Sequence, residues 1–158
     1  MVRVLTLVVL LTVALAPVGA CTAGDAAGRA GDREADPVAA YETALAPLKR
    51  RSDVLEKRFA TAQADGADPA RIREVLEQVT TAYAGLLERT RAIEVDDPAV
   101  ETAHESLLAG LEHQQRGLEL ALRAVETDDT ALMEQAGAAL AEAQRLMDEH
   151  RRLLARAG

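Results

Sequence analysis

The amino-acid sequence predicts an all-α fold, an up-down-up-down antiparallel four-helix bundle, on three observations. Beyond residue 36 the apolar side chains recur in steps of three and four through four successive stretches, the signature of helices with one buried face. Each stretch opens on an aspartate, three times as Asp-Pro, which suits a helix cap followed by the first helical position. The segments between stretches are short, and short connections make neighbouring helices antiparallel. Composition agrees: the chain of 158 residues is 49% hydrophobic but only 2% aromatic, and alanine and leucine dominate.

Three regions follow from the pattern: residues 1–20, residues 21–37, and a bundle domain over residues 38–158. The first carries Arg3 and then an uncharged run from Val4 to Ala16. Pro17 breaks that run before the small residues Gly19 and Ala20. This order is that of a secretory signal peptide. The run is also shorter than the roughly 20 apolar residues that span a bilayer. Residues 22–37 are small or charged and offer nothing to bury, so they read as a flexible tether. Its typical end-to-end distance is roughly 20–24 Å.

Asp36 and Pro37 start the first helix, with the stripe Val38, Tyr41, Leu45, Leu48, Ser52, Leu55, Phe59 and Ala62. Pro47 falls inside it. Because the stripe keeps its phase across Pro47, one kinked helix is predicted rather than two. Asp68 and Pro69 start the second, with Ile72, Leu76, Val79, Tyr83, Leu86, Thr90 and Ile93. Asp97 and Pro98 start the third, with Val100, His104, Leu107, Leu111, Gln114, Leu118, Ala121 and Val125. Thr127, Asp128 and Asp129 form the last turn. The fourth stripe is Leu132, Ala136, Ala139, Ala143, Leu146, His150, Leu153 and Ala157, flanked by Met133, Leu140, Met147 and Leu154. Helices of about 26–29 residues would be near 40 Å long. Glu112–Arg116, Glu119–Arg123 and Asp148–Arg152 are expected as exposed i to i+4 pairs. The alanines at 136, 139 and 143 leave a thin seam for another helix to cover.

Val18-Gly19-Ala20-Cys21 resembles the lipobox of bacterial lipoprotein signal peptides. That resemblance implies lipidation of Cys21 as the first mature residue, with a diacylglyceryl group that holds stably to a membrane. Cys21 is also the sole cysteine, so no intramolecular disulfide can form. With this motif, with Asp97, Pro98 and His104, and with the Asp-rich cap before an Ala-rich last helix, the chain resembles small helical lipoproteins of unknown function from GC-rich bacteria. The resemblance implies no activity, cofactor or partner.

Removing residues 1–20 takes away Arg3 and no acid, so 17 basic and 26 acidic side chains remain, net −9. Such a balance argues against nucleic acid as a partner, because binding it depends on cations that neutralise phosphates. Serine is confined to Ser52 and Ser106 beyond the signal, with no Gly-x-Ser-x-Gly elbow. Phosphate-binding glycine loops and His-Glu-x-x-His are also missing. No enzyme and no cofactor are therefore expected.

His104 and His150 are the residues with chemistry to offer. Antiparallel pairing about the last turn brings them level, and Glu101 completes a Glu-x-x-His one turn before His104. Imidazole and carboxylate together suit zinc, copper or iron, with Glu88 a further candidate ligand. No second Glu-x-x-His exists, which disfavours a two-metal carboxylate centre. Equally, both histidines read as partly hydrated stripe residues near a bundle end. Gln114, polar at a mid-stripe position, is expected to meet Gln78 and fix register. The overall expectation is a lipid-anchored, extracytoplasmic module of the cell envelope, structural or for protein interaction. Its partners would be the membrane, through Cys21, and an envelope protein. The alternative is a metal-binding or metal-delivery lipoprotein using His104, His150 and Glu101.

Overall fold

The computed structural model describes residues 36–64 and 68–158. The expected signal peptide over residues 1–20, Cys21 and nearly all of the tether expected over 22–37 lie outside the described residues. Four helices follow one another: α1 (Pro37–Ala64), α2 (Pro69–Arg91), α3 (Pro98–Thr127) and α4 (Thr130–Ala157). The second is the shortest, at 23 residues, because its last expected turn becomes an extended linker to Asp97.

Aspartates start the helices as the sequence indicates. Asp36 Oδ1 accepts from the Val38 and Ala39 amides, Asp97 Oδ1 from Ala99 and Val100, and Asp129 Oδ1 from Ala131 and Leu132. Asp68 accepts from Ala70. These bonds satisfy amides that have no partner within the helix. Asp128 takes φ 53° and ends α3 in the left-handed region, which aspartate tolerates better than most residues. Two adjacent aspartates thus divide the work of the last turn, one closing α3 and the other opening α4. Across Pro47 α1 runs on as one helix. Pro47 and Thr43, whose carbonyl loses a backbone donor there, are both exposed, so water can supply the missing bond.

Cross-helix contacts give the topology. Tyr41 of α1, His104 of α3 and His150 of α4 meet at one end, where the linker residues Ile93 and Val95 also pack on the core. Ser106 Oγ donates to the Leu146 carbonyl at 3.0 Å, aligning α3 and α4 antiparallel. The bundle is therefore up-down-up-down. Its core is filled by Leu45 and Phe59 of α1, Leu76, Val79 and Tyr83 of α2, and Leu107, Leu111 and Leu118 of α3. Burying a side chain of this size contributes about 1.5–3 kcal/mol.

The pair α3 and α4 packs differently, through small residues. A Cβ on Gly117 would fall 2.7 Å from Leu140 Cγ, and one on Gly110 would fall 3.0 Å from Met147 Cε. Backbones approach where side chains vanish, and the facing side chains seat in the space. This corrects two expectations. The buried face of α4 is Ala136, Ala143, Met147, His150 and Leu154, whereas Leu132, Ala139, Leu146, Leu153 and Ala157 are only half-buried. The alanine seam is not vacant either, since Gly110 and Gly117 of α3 lie against Ala143 and Ala136.

Surface charges also pair differently from the sequence expectation. Glu112 binds Arg91 across α2 and α3 at 2.7 Å, Glu119 accepts from Gln115, and Asp148 pairs with Arg151. An i to i+4 partner competes here with a cation or amide already within reach, and exposed pairs differ too little in energy to choose by spacing.

Candidate functional site

The described residues hold two buried polar clusters, one at the α1 N-terminal end and one at mid-bundle. The first joins Tyr41, in the second turn of α1, to His104 and His150. All three occupy buried stripe positions, at 5%, 8% and 1% exposure. Tyr41 Oη lies 3.0 Å from His104 Nδ1. Its hydroxyl donates there when His104 carries its proton on Nε2. The two rings meet edge to face with centroids 5.6 Å apart, and the His150 ring stands 6.1 Å from the same tyrosine. His150 Nδ1 lies 2.8 Å from the Ala103 carbonyl, which can only accept, so that nitrogen carries the proton.

The surroundings of both imidazoles disfavour the charged form. Burial lowers the pKa of His104, with the Glu105 carboxylate opposing. Burial also lowers that of His150; the Ala103 carbonyl opposes, while Lys49, His104 and Arg151 add to the lowering. Burial pushes the Tyr41 phenol upward in turn.

The expected metal set comes together only in part. His104 and His150 share the cluster, but Glu101 is exposed on the surface of α3. One turn before His104 the buried positions are taken by Val100 and Ala103, and Glu101 falls on the solvent side of them. Glu88 is exposed too and pairs with Arg91. Among the described residues no group of three or more His, Cys, Asp or Glu side chains could hold a metal ion. Each histidine has spent Nδ1 on a bond within the protein. Chemically the cluster is a hydrogen-bonded aromatic plug that opposes protonation.

The second cluster lies at mid-bundle. Ser52 Oγ is 3.0 Å from Tyr83 Oη and donates to Glu56 Oε1 at 3.3 Å. Gln114 completes the group with its amide beside the Tyr83 hydroxyl. Ser52, Tyr83 and Gln114 are each 1% exposed, and Gln114 Oε1 has no partner. The expected partner Gln78 is on the surface, bound to Glu74. Gln114 meets a tyrosine instead, because α2 turns Tyr83 rather than Gln78 toward the core. Burial raises Glu56 to about 7, with the Ser52 bond lowering and Asp53 raising it. Sequence reasoning passes over Glu56; the available signal is a carboxylate four residues after a stripe serine.

No family model matches the chain, and no curated protein or solved structure matches it either.

Proposed function

We propose that the chain is a lipid-anchored, extracytoplasmic module of the cell envelope, structural or for protein interaction, without catalytic activity. One observation carries the reading: Val18-Gly19-Ala20-Cys21, resembling a lipobox, closes an apolar run preceded by Arg3. The fold is compatible with it. The described helices pack their apolar faces on one another, and none is long and apolar enough to cross a membrane. Helical bundles of this kind present long, rigid, solvated faces, and here those faces carry most of the charge. Metal delivery is not advanced, since Glu101 stands away from the two histidines.

The test is expression in a lipidating bacterium with labelled palmitate. The wild-type chain should take up label and sediment with membranes. Cys21→Ser should lose the label and either leave the membrane fraction or accumulate as an unprocessed precursor. Unlabelled wild-type protein, or a Cys21→Ser chain processed and membrane-bound like the wild type, would end the proposal.

A further inference from the structure

The outer face shared by α1 and α2 carries a groove that neither buried cluster uses. Two hollows of about 800 and 670 Å³ open there, and they meet at Val54, which lines both. Together they follow α1 from Pro47 to Thr61. At 1.5 Å per residue that is a length of about 21 Å, or four helical turns. At 59% exposure, Val54 is the most exposed large hydrophobic side chain among the described residues. Leu55 and Leu86 continue the apolar floor in the first hollow, and Ala62 and Val75 in the second.

Gly85 also lines the first hollow. Glycine weakens a helix interior relative to alanine, so packing calls for it where a side chain would collide. A Cβ at this position would meet nothing within 4 Å. The inside of the protein therefore makes no demand for glycine at 85. Its effect is to lower the floor of the groove, so that something outside can come close.

The rim is cationic. Arg50, Arg51 and Arg89 line the first hollow and Lys57, Arg58 and Arg71 the second, against one carboxylate, Asp68, among the described lining residues. Of these six cations only Arg71 is in an ion pair among the described residues. Beyond residue 20 the chain has 26 acidic and 17 basic side chains in all. Six cations thus gather on one groove of an acidic molecule.

We propose that the α1–α2 groove is a docking site for an acidic amphipathic helix of a partner protein, about four turns long, whose apolar stripe lies over Val54 and Gly85 and whose carboxylates face the cationic rim. The inference names the class of partner for the protein-interaction reading above and rests on that reading, but it does not depend on Cys21. Charge complementarity selects an acidic occupant and steers its approach. The concave apolar floor selects a helix, which docks by laying its apolar face into a hydrophobic groove. An anionic bilayer would meet the same cations. Its flat headgroup layer, however, leaves the hollows unfilled and gains nothing from the open floor at Gly85.

The probe is a synthetic peptide of about 14 residues, four helical turns, built of Glu, Ala and Leu with the leucines on one helical face. Its counterpart carries Lys for every Glu. Amide NMR shifts of the isotope-labelled chain from residue 21, which retains the whole bundle, report binding. At low salt the acidic peptide should shift the Val54, Ala82 and Gly85 amides and bind at least about tenfold more tightly than the basic one. Arg50→Glu combined with Arg89→Glu should weaken it by about tenfold or more. Gly85→Gln, which puts a good helix former into the hollow, should weaken it similarly while the melting temperature stays level or rises. Equal affinities for the two peptides, undiminished binding by Gly85→Gln, or a Kd above about 1 mM for the acidic peptide would overturn the proposal. So would shifts at these amides with phosphatidylglycerol vesicles but not with peptide, or on concentrating the chain alone, since the occupant would then be a bilayer or a second copy. The readout does not involve the lipid, so failure here and failure of palmitate labelling are told apart.

Discussion

Gly117 of α3 and Leu140 of α4 lie so close that a Cβ on the glycine would sit 2.7 Å from Leu140 Cγ and 3.3 Å from the Ala136 carbonyl oxygen. Leu140 can swing away toward solvent, but the backbone oxygen cannot. Alanine gains about 1 kcal/mol over glycine in a helix interior, whereas overpacking costs about 1–3 kcal/mol. Gly117→Ala should therefore be neutral to destabilising. At Gly110 the tightest neighbour is the mobile Met147 methyl, so Gly110→Ala should be the milder change. Gly85 and Gly137 face open space, and alanine there should stabilise by up to about 1 kcal/mol. Chemical denaturation of the four variants checks the ranking. Equal effects at 85 and 117 would show that α3 and α4 do not pack through glycine.

Leu111 and Glu112 are adjacent in sequence and opposite in fate. Leu111 is 4% exposed in the core, and Glu112 is a surface partner of Arg91. Leu111→Asp should cost about 4 kcal/mol or more, because it buries an unpaired charge. Glu112→Ala should cost less than about 1 kcal/mol. Thermal melts followed by circular dichroism separate the two.

Tyr41→Phe removes the hydroxyl that His104 Nδ1 uses. A buried nitrogen is then left without its partner, at a cost of about 1–3 kcal/mol. Urea denaturation measures this. A loss below about 0.5 kcal/mol, the low end for one hydrogen bond, would mean that water replaces the tyrosine freely and that the end of the bundle is not sealed.

The two clusters respond to pH with opposite sign. His104 and His150 have pKa values below 6.5 in the folded chain, so between the folded values and 6.5 the unfolded chain holds more protons. Their contribution is complete above 6.5 and is lost as pH falls through the lowered values. Glu56, raised from 4.5 to about 7, holds its proton in the folded chain over that interval. Its contribution is complete below 4.5 and is lost as pH rises through about 7. Between about pH 4.5 and 6.5 the two trends therefore oppose each other in the wild type. On a Glu56→Gln background only the histidine trend remains, and stability should fall steadily on acidification below 6.5. A melting temperature that instead rises with acid in that variant would contradict the histidine assignment.

Much of the fold was legible because it rests on local rules. Asp36, Asp68, Asp97 and Asp129 cap the helices through bonds made within three residues of each cap. Periodicity alone likewise marks the buried Leu45, Phe59, Leu76, Leu107 and Leu118. The approach of Tyr41, His104 and His150 follows from antiparallel pairing, which needs only short turns. Glu101 falls outside that cluster because an i, i+3 spacing makes two residues neighbours without deciding on which side of the stripe the second lies, and here Val100 and Ala103 take the buried positions. Gln78 was misplaced for a related reason, since level position in a hairpin does not decide which residue faces inward.

The helix starts, the bundle order and the seven-residue spacing of Ala136, Ala143 and His150 are all written in the chain. That spacing is equally compatible with two buried faces for α4. One is completed by Ala139, Leu146 and Leu153, the other by Leu140, Met147 and Leu154. Packing against α3 chose between them. Gly110 and Gly117 leave hollows on α3, and Met147 and Leu140 are the side chains that reach into them. With Met147 and Leu154 buried, Leu146 and Leu153 are left half-buried. The rotation of α4 about its axis is a property of two fitted surfaces, and no single helix carries it.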